Sequence, residues 1–97
     1  MSDGGRHNTD IARRIVALRT MLGHNQSAFA QLVEVSQPAM NNYETGLRRP
    51  DLDVAVRINQ KTGVTLDWLY LGVRSGLPAH LSERLPTLSD TAQSKAG

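Results

Sequence analysis

Apolar residues recur at helical spacing through the first two thirds of the chain. Ile11, Ile15, Leu18 and Leu22 follow an i, i+4, i+7, i+11 pattern. That pattern predicts one buried face of a helix from about Asp10 to Leu22. Asn8 or Thr9 is placed to cap its start, and Gly23 to end it. Phe29, Ala30 and Val33 mark the inner side of a second helix opened by Asn25. Ser36 opens a third, with Pro38 in the first turn, where a missing N–H costs little. Val35 and Met40 have the spacing of a hydrophobic staple, and Gly46 ends that helix. Asp51 opens a fourth, with Leu52, Ala55, Val56 and Ile58 inward and Gly63 as its stop. Thr65 opens a short fifth, LDWLYL, closed by Gly72, and Val64 and Leu69 repeat the staple spacing. No stretch alternates with period two, so the pattern predicts an all-α fold. Trp68, the only tryptophan, sits among leucines and is expected to anchor a core or an interface rather than stack on a ligand.

Residues 73–97 break this pattern. VRSGLPAHLSERLPTLSDTAQSKAG mixes Pro, Gly and Ser with spaced leucines. Residues 78–85 are expected to form a short helix, with Leu81 and Leu85 one turn apart. So short a helix needs a surface to pack on, its own domain or a second subunit. The last nine residues are expected to be disordered. The organisation is then a flexible N-terminal arm over residues 1–8, one helical domain over 9–72, and a C-terminal tail over 73–97.

Composition narrows the function classes. At 97 residues there is room for one small core. No apolar run is long enough to span a bilayer, and MSDGGRHNTD lacks the apolar stretch of a secretory signal. There is no cysteine, which excludes disulfides and fits a cytoplasmic location. His7, His24 and His80 lie far apart without metal-ligand spacing, so no metal or other cofactor is expected. The net charge of +2 is small, but its distribution is uneven. Residues 6–49 carry six arginines (Arg6, Arg13, Arg14, Arg19, Arg48 and Arg49) against Asp10, Glu34 and Glu44. Residues 50–97 balance. The basic half suits a phosphate-facing surface and, on charge alone, equally an ordinary solvated one.

The third helix carries Gln37, Asn41 and Asn42 on one side and Met40 and Tyr43 on the other. An amide side chain offers a donor and an acceptor together, as adenine does in the major groove. The amide face is therefore either a reader of base edges or a solvated helix face.

The segments RIVALRTMLGHNQSAFA, VSQPAMNNYETGLRRPDLD and TGVTLDWLYLG decide between these. Across residues 11–72 the chain resembles the Cro/C1-type (XRE-family) helix-turn-helix domain of phage repressors and small bacterial regulators. The resemblance implies an all-α, five-helix, lambda-repressor-like domain with a helix-turn-helix unit at about residues 26–45. It also implies double-stranded operator DNA as partner and a homodimer as the acting form. By position, it implies that Gln26, with Ser27 beside it, binds a phosphate and braces the recognition helix. Gln37, Asn41 and Asn42 are then the positions facing bases or adjacent phosphates, and Arg48 and Arg49 lie along the backbone. Arg19 matches a first-helix arginine that pairs with a glutamate of the recognition helix, here Glu44. Two departures stand out. Glu34 occupies the turn where most members have glycine, which demands a strained conformation or an altered turn. Lys61 and Thr62 replace an apolar pair at the end of the fourth helix, so a thinner core is expected at that corner.

The expected function is sequence-specific transcriptional regulation, by repression, at a palindromic operator. The alternative is an antitoxin that uses the same domain on DNA and grips a toxin with its leucine-bearing tail. An enzyme is not expected, because no nucleophile–base pair, glycine-rich phosphate loop or ligand cluster is present. No small-molecule ligand and no membrane partner is evident. The dimer interface is expected on Trp68, Leu69, Leu71, Leu77, Leu81 and Leu85, because leucines at helical spacing in a short tail are poorly explained in a monomer. The tail folding back on its own domain is the other option.

Overall fold

The computed structural model describes residues 2–88, with side chains from residue 8 onward. It contains six helices: α1 (Ser2–Met21), α2 (Gln26–Leu32), α3 (Gln37–Glu44), α4 (Leu52–Thr62), α5 (Leu66–Leu71) and α6 (Ala79–Arg84). Strands are absent among the described residues. The last nine residues, expected to be disordered, lie outside the described ones.

Local chemistry sets the boundaries of the four helices that follow α1. The side chains of Asn25, Ser36, Asp51 and Thr65 each accept the N–H three residues on, at 2.8 to 3.1 Å. Each bond satisfies one amide that the first helical turn leaves without a partner. Gly63 ends α4 at φ 92°, in the left-handed region that admits glycine without a Cβ penalty.

The start of α1 differs from the expectation. The helix begins at Ser2, so residues 2–8 continue it. Gly4 and Gly5 weaken this stretch, but no proline blocks it. Asn8 and Thr9 therefore lie within the helix and do not cap it. Asn8 is used sideways, accepting a hydrogen bond from Arg49 at 3.1 Å.

The core gathers Ile11, Ile15, Leu18, Phe29, Val33, Met40, Ile58, Val64, Trp68 and Leu69, all 2 % exposed or less. Removing this much apolar surface from water is the main term favouring the fold. α1 is the central element and packs on α3 and α5, while α2 packs on α3 and α4 on α5. Leu52, expected inside, is exposed at the first turn of α4, and Val54 faces the core instead.

The tail folds back. Leu77, Leu81 and Leu85 are buried within this molecule's own core. Trp68, Leu69, Leu77, Leu81 and Leu85, expected at a dimer interface, are all buried within one chain. These side chains close one core, and of the six only Leu71 stands out, at 66 % exposed. Leu81 fits against Gly63, where a Cβ would come within 3.4 Å of its Cδ1. The tail thus covers the corner that Lys61 and Thr62 leave polar. Arg74 fixes α6 by donating to the carbonyls of Ser82, Leu85 and Pro86 at 2.7 to 3.1 Å. A cation suits these carbonyls, which the helix C-terminus leaves without donors. Arg84 donates to the carbonyl of Met21 and ties α6 to the end of α1.

Candidate nucleic-acid interface

α2 and α3 meet through the tight turn at 33–36, and α3 presents Gln37 and Asn41 to solvent while Met40 and Tyr43 enter the core. The split follows from helical spacing, since residues three and four apart share a face. Asn42 is half-buried, and its main-chain carbonyl accepts from the N–H groups of Leu47 and Arg48 at 3.0 and 3.1 Å. Those bonds fold the chain after α3 back toward the helix and leave Arg48 and Arg49 exposed beside it.

Beneath the amide face lies an ion pair. Arg19 donates from Nε and Nη2 to the two carboxylate oxygens of Glu44 at 2.8 and 3.0 Å. Its third nitrogen donates to the carbonyl of His24 at 3.3 Å. A two-pronged pairing of this kind is directional and strong. The Glu44 side chain is only 5 % exposed and that of Arg19 21 %, so the carboxylate is the group most dependent on its partner.

Glu44 then sets the orientation of the surface amides. A carboxylate only accepts, so Gln26 turns its Nε2 to Glu44 at 3.1 Å. The same Nε2 reaches Asn41 Oδ1 at 3.4 Å. The Gln26 carbonyl oxygen is left to accept from Gln37 Nε2 at 3.3 Å. Gln37 thereby keeps Oε1 and one further N–H available, and Asn41 keeps its Nδ2. One buried charge thus orders three amides across α2 and α3.

The basic loop is held from two sides. Arg49 is tied to Asn8 of α1. Tyr70 of α5 donates its phenol to the carbonyl of Pro50 at 2.7 Å. Burial, then the nearby Asp51 carboxylate, raises the pKa of Tyr70 above the ordinary phenol value, and the same two causes raise Tyr43. Both phenols stay protonated at neutral pH.

Of the residues expected at the interface, Gln26, Gln37, Asn41 and Glu44 form one network with Arg19. Ser27 lies exposed next to Gln26, and Arg48 and Arg49 flank the end of α3. Three supporting residues were not legible beforehand: Asn8, Tyr70 and Arg57. Arg57 donates from α4 to the carbonyl of Val33 at 2.8 Å. The non-glycine residue at Glu34 predicts a strained or altered turn, but no spacing rule points to a support from α4. Glu34 adopts φ 62°, so the turn keeps the conformation that glycine would favour.

Among the described residues no helix is long and apolar enough to cross a membrane. A family model described as helix-turn-helix matches residues 15–69. No curated protein and no solved structure matches the chain.

Proposed function

Because the chain belongs to the Cro/C1-type helix-turn-helix family, we propose that it represses transcription as a homodimer that reads a palindromic operator through α3. The family membership makes it a DNA-binding transcription regulator. Repression, the operator and the dimer are the further reading, with the cytoplasm, where the DNA is, as its place of action.

The observation that carries this reading is the ordered amide face. Adenine offers an N6–H donor beside the N7 acceptor in the major groove. Gln37 has Oε1 and one N–H left over, which is the complementary pair. Its other N–H is taken by Gln26, which is itself held by Glu44. An amide fixed in advance loses less entropy on binding and discriminates better. Arg48 and Arg49 supply phosphate contacts, which carry affinity without sequence. Ser27 and Gln26 stand at the start of α2, whose first-turn N–H groups suit a phosphate.

The antitoxin reading relied on free leucines in the tail. Leu77, Leu81 and Leu85 are buried against this molecule's own core, which favours the repressor reading over that grip.

Two copies are needed because one short helix reads too few base pairs to mark a site among many genomic competitors. The dimer surface is placed on the exposed apolar residues at the end of α5, Leu71 and Val73. Selection of bound duplexes from a random pool tests the reading. The expected product is an inverted repeat with adenine at a fixed place in each half. A pool that emerges unenriched, or enriched in single half-sites alone, would contradict it.

A further inference from the structure

The turn between α2 and α3 combines strain with a tether. Glu34 is the only non-glycine residue with positive φ among the described residues. The left-handed region crowds a Cβ against the following carbonyl, so Glu34 resists the conformation that the turn requires. Within the turn, the N–H groups of Val33, Glu34 and Val35 return to the carbonyls of Phe29, Gln31 and Ala30. The carbonyls of Val33 and Glu34 lie past the last turn of α2, where a helix supplies no donor. Arg57 supplies both, with Nε at 2.8 Å from Val33 O and Nη2 at 3.4 Å from Glu34 O. One edge of a rigid guanidinium therefore spans two successive carbonyls, which fixes direction as well as distance.

The position gives leverage on the amide face. The turn sets the angle between α2, which carries Gln26, and α3, which carries Gln37. The bond between those amides is already long, at 3.3 Å, and such bonds weaken steeply with a few tenths of an ångström more. α4 packs on α5, and α2 on α3. The guanidinium thus links two helix pairs at the point where the recognition angle is decided.

We propose that Arg57 is a positioning residue for base recognition: it holds the carbonyls of Val33 and Glu34 and so fixes the angle of α3, in a turn that lacks the glycine which would adopt this shape unaided. This rests on the reading that α3 contacts bases. The role differs from two simpler ones. An arginine that only stabilised the fold would leave discrimination untouched, and one that bound phosphate would raise affinity on all DNA alike. Positioning alone acts on the ratio of operator to random binding, and it depends on what occupies position 34.

The test uses the full chain as wild type, Arg57→Lys, Arg57→Ala, Glu34→Gly and the two Arg57 substitutions in the Glu34→Gly background. Each is titrated with the operator selected by the wild type and with random duplex of equal length, and each is melted thermally. Arg57→Lys keeps the stem and the charge but loses the two-donor edge, and it serves if Arg57→Ala does not fold. The expected result is a loss of about tenfold in the operator-to-random ratio for either substitution. In the Glu34→Gly background the loss shrinks to within about threefold, because glycine holds the turn without help. An unchanged ratio, equal losses on both DNAs, or a loss that persists undiminished with glycine at position 34 would overturn the proposal. A wild type that fails to distinguish operator from random DNA would instead remove the reading of α3 itself. That result is distinct from a discriminating wild type with indifferent Arg57 variants.

Discussion

Glu44 is the residue on which most of the amide network turns. Its carboxylate is nearly buried, accepts two bonds from Arg19 and orients Gln26. Removing Arg19 strands a charge that water barely reaches, whereas removing Glu44 leaves an arginine that is one-fifth exposed and still bonded to His24. Arg19→Ala is therefore expected to cost more than Glu44→Ala, on the order of 3 kcal/mol in chemical denaturation. Equal costs would show that burial of the carboxylate is not what matters. Glu34 is the converse case, a residue whose own backbone opposes the fold. Glu34→Gly is expected to raise the melting temperature, by about 1 kcal/mol of stability, through relief of its left-handed conformation. A melt that falls would mean that the glutamate side chain contributes more than the strain it imposes. Much at this scale was legible in the sequence for a physical reason. Asn25, Ser36, Asp51 and Thr65 cap their helices through bonds that span three residues, so a local pattern finds them. Asn8, Arg57 and Tyr70 find their partners far along the chain, and nothing in their neighbourhood announces it.

The helices divide in the same way. α2 to α5 match the apolar periodicity because each is short, capped and amphipathic. α1 exceeds its expected start, since a cap signal marks where a helix can begin without compelling it to begin there. α6 was legible as a helix, but its destination was not, because three leucines in a row of turns suit a partner and an intramolecular core equally well. The folded position makes α6 part of the domain's stability. Leu81→Ala is expected to cost about 2–5 kcal/mol, and Arg74→Ala to loosen α6 by leaving the carbonyls of Ser82, Leu85 and Pro86 without their donor. Truncation after Gly72 is then expected to lower the melting temperature sharply; a truncated chain as stable as the full one would mean that the tail only rests on the core. The basic loop carries a pH signature through the phenols of Tyr43 and Tyr70. Both are held protonated more firmly in the folded chain than in the unfolded one, so the folded state binds more protons near the phenol range. Their contribution is fully present below the ordinary phenol pKa of about 10 and is lost as pH rises through the folded values. The fall in melting temperature above that pH is expected to be shallower in Tyr70→Phe than in wild type, and an identical slope would remove Tyr70 from this account.

The described residues measure 37 × 33 × 21 Å, so this part of one protomer is about as wide as a turn of DNA is long. The proposed dimer on adjacent half-sites requires its two α3 helices to lie about 34–36 Å apart. Leu71→Glu is expected to turn a sedimenting dimer into a monomer and to weaken operator binding, while leaving the melting of the single domain nearly unchanged. A dimer that persists would move the interface away from the end of α5. The central claim, that ordered amides read sequence while the arginines hold the backbone, is open to one direct measurement. Wild type, Gln37→Ala and Arg48→Ala are titrated on selected operator and on random duplex across a range of salt concentrations. For Gln37→Ala the account predicts a loss of about 1–3 kcal/mol on operator, almost none on random DNA, and an unchanged salt slope. For Arg48→Ala it predicts weaker binding to both DNAs and a salt slope shallower by about one. Equal losses on the two DNAs for Gln37→Ala would contradict it.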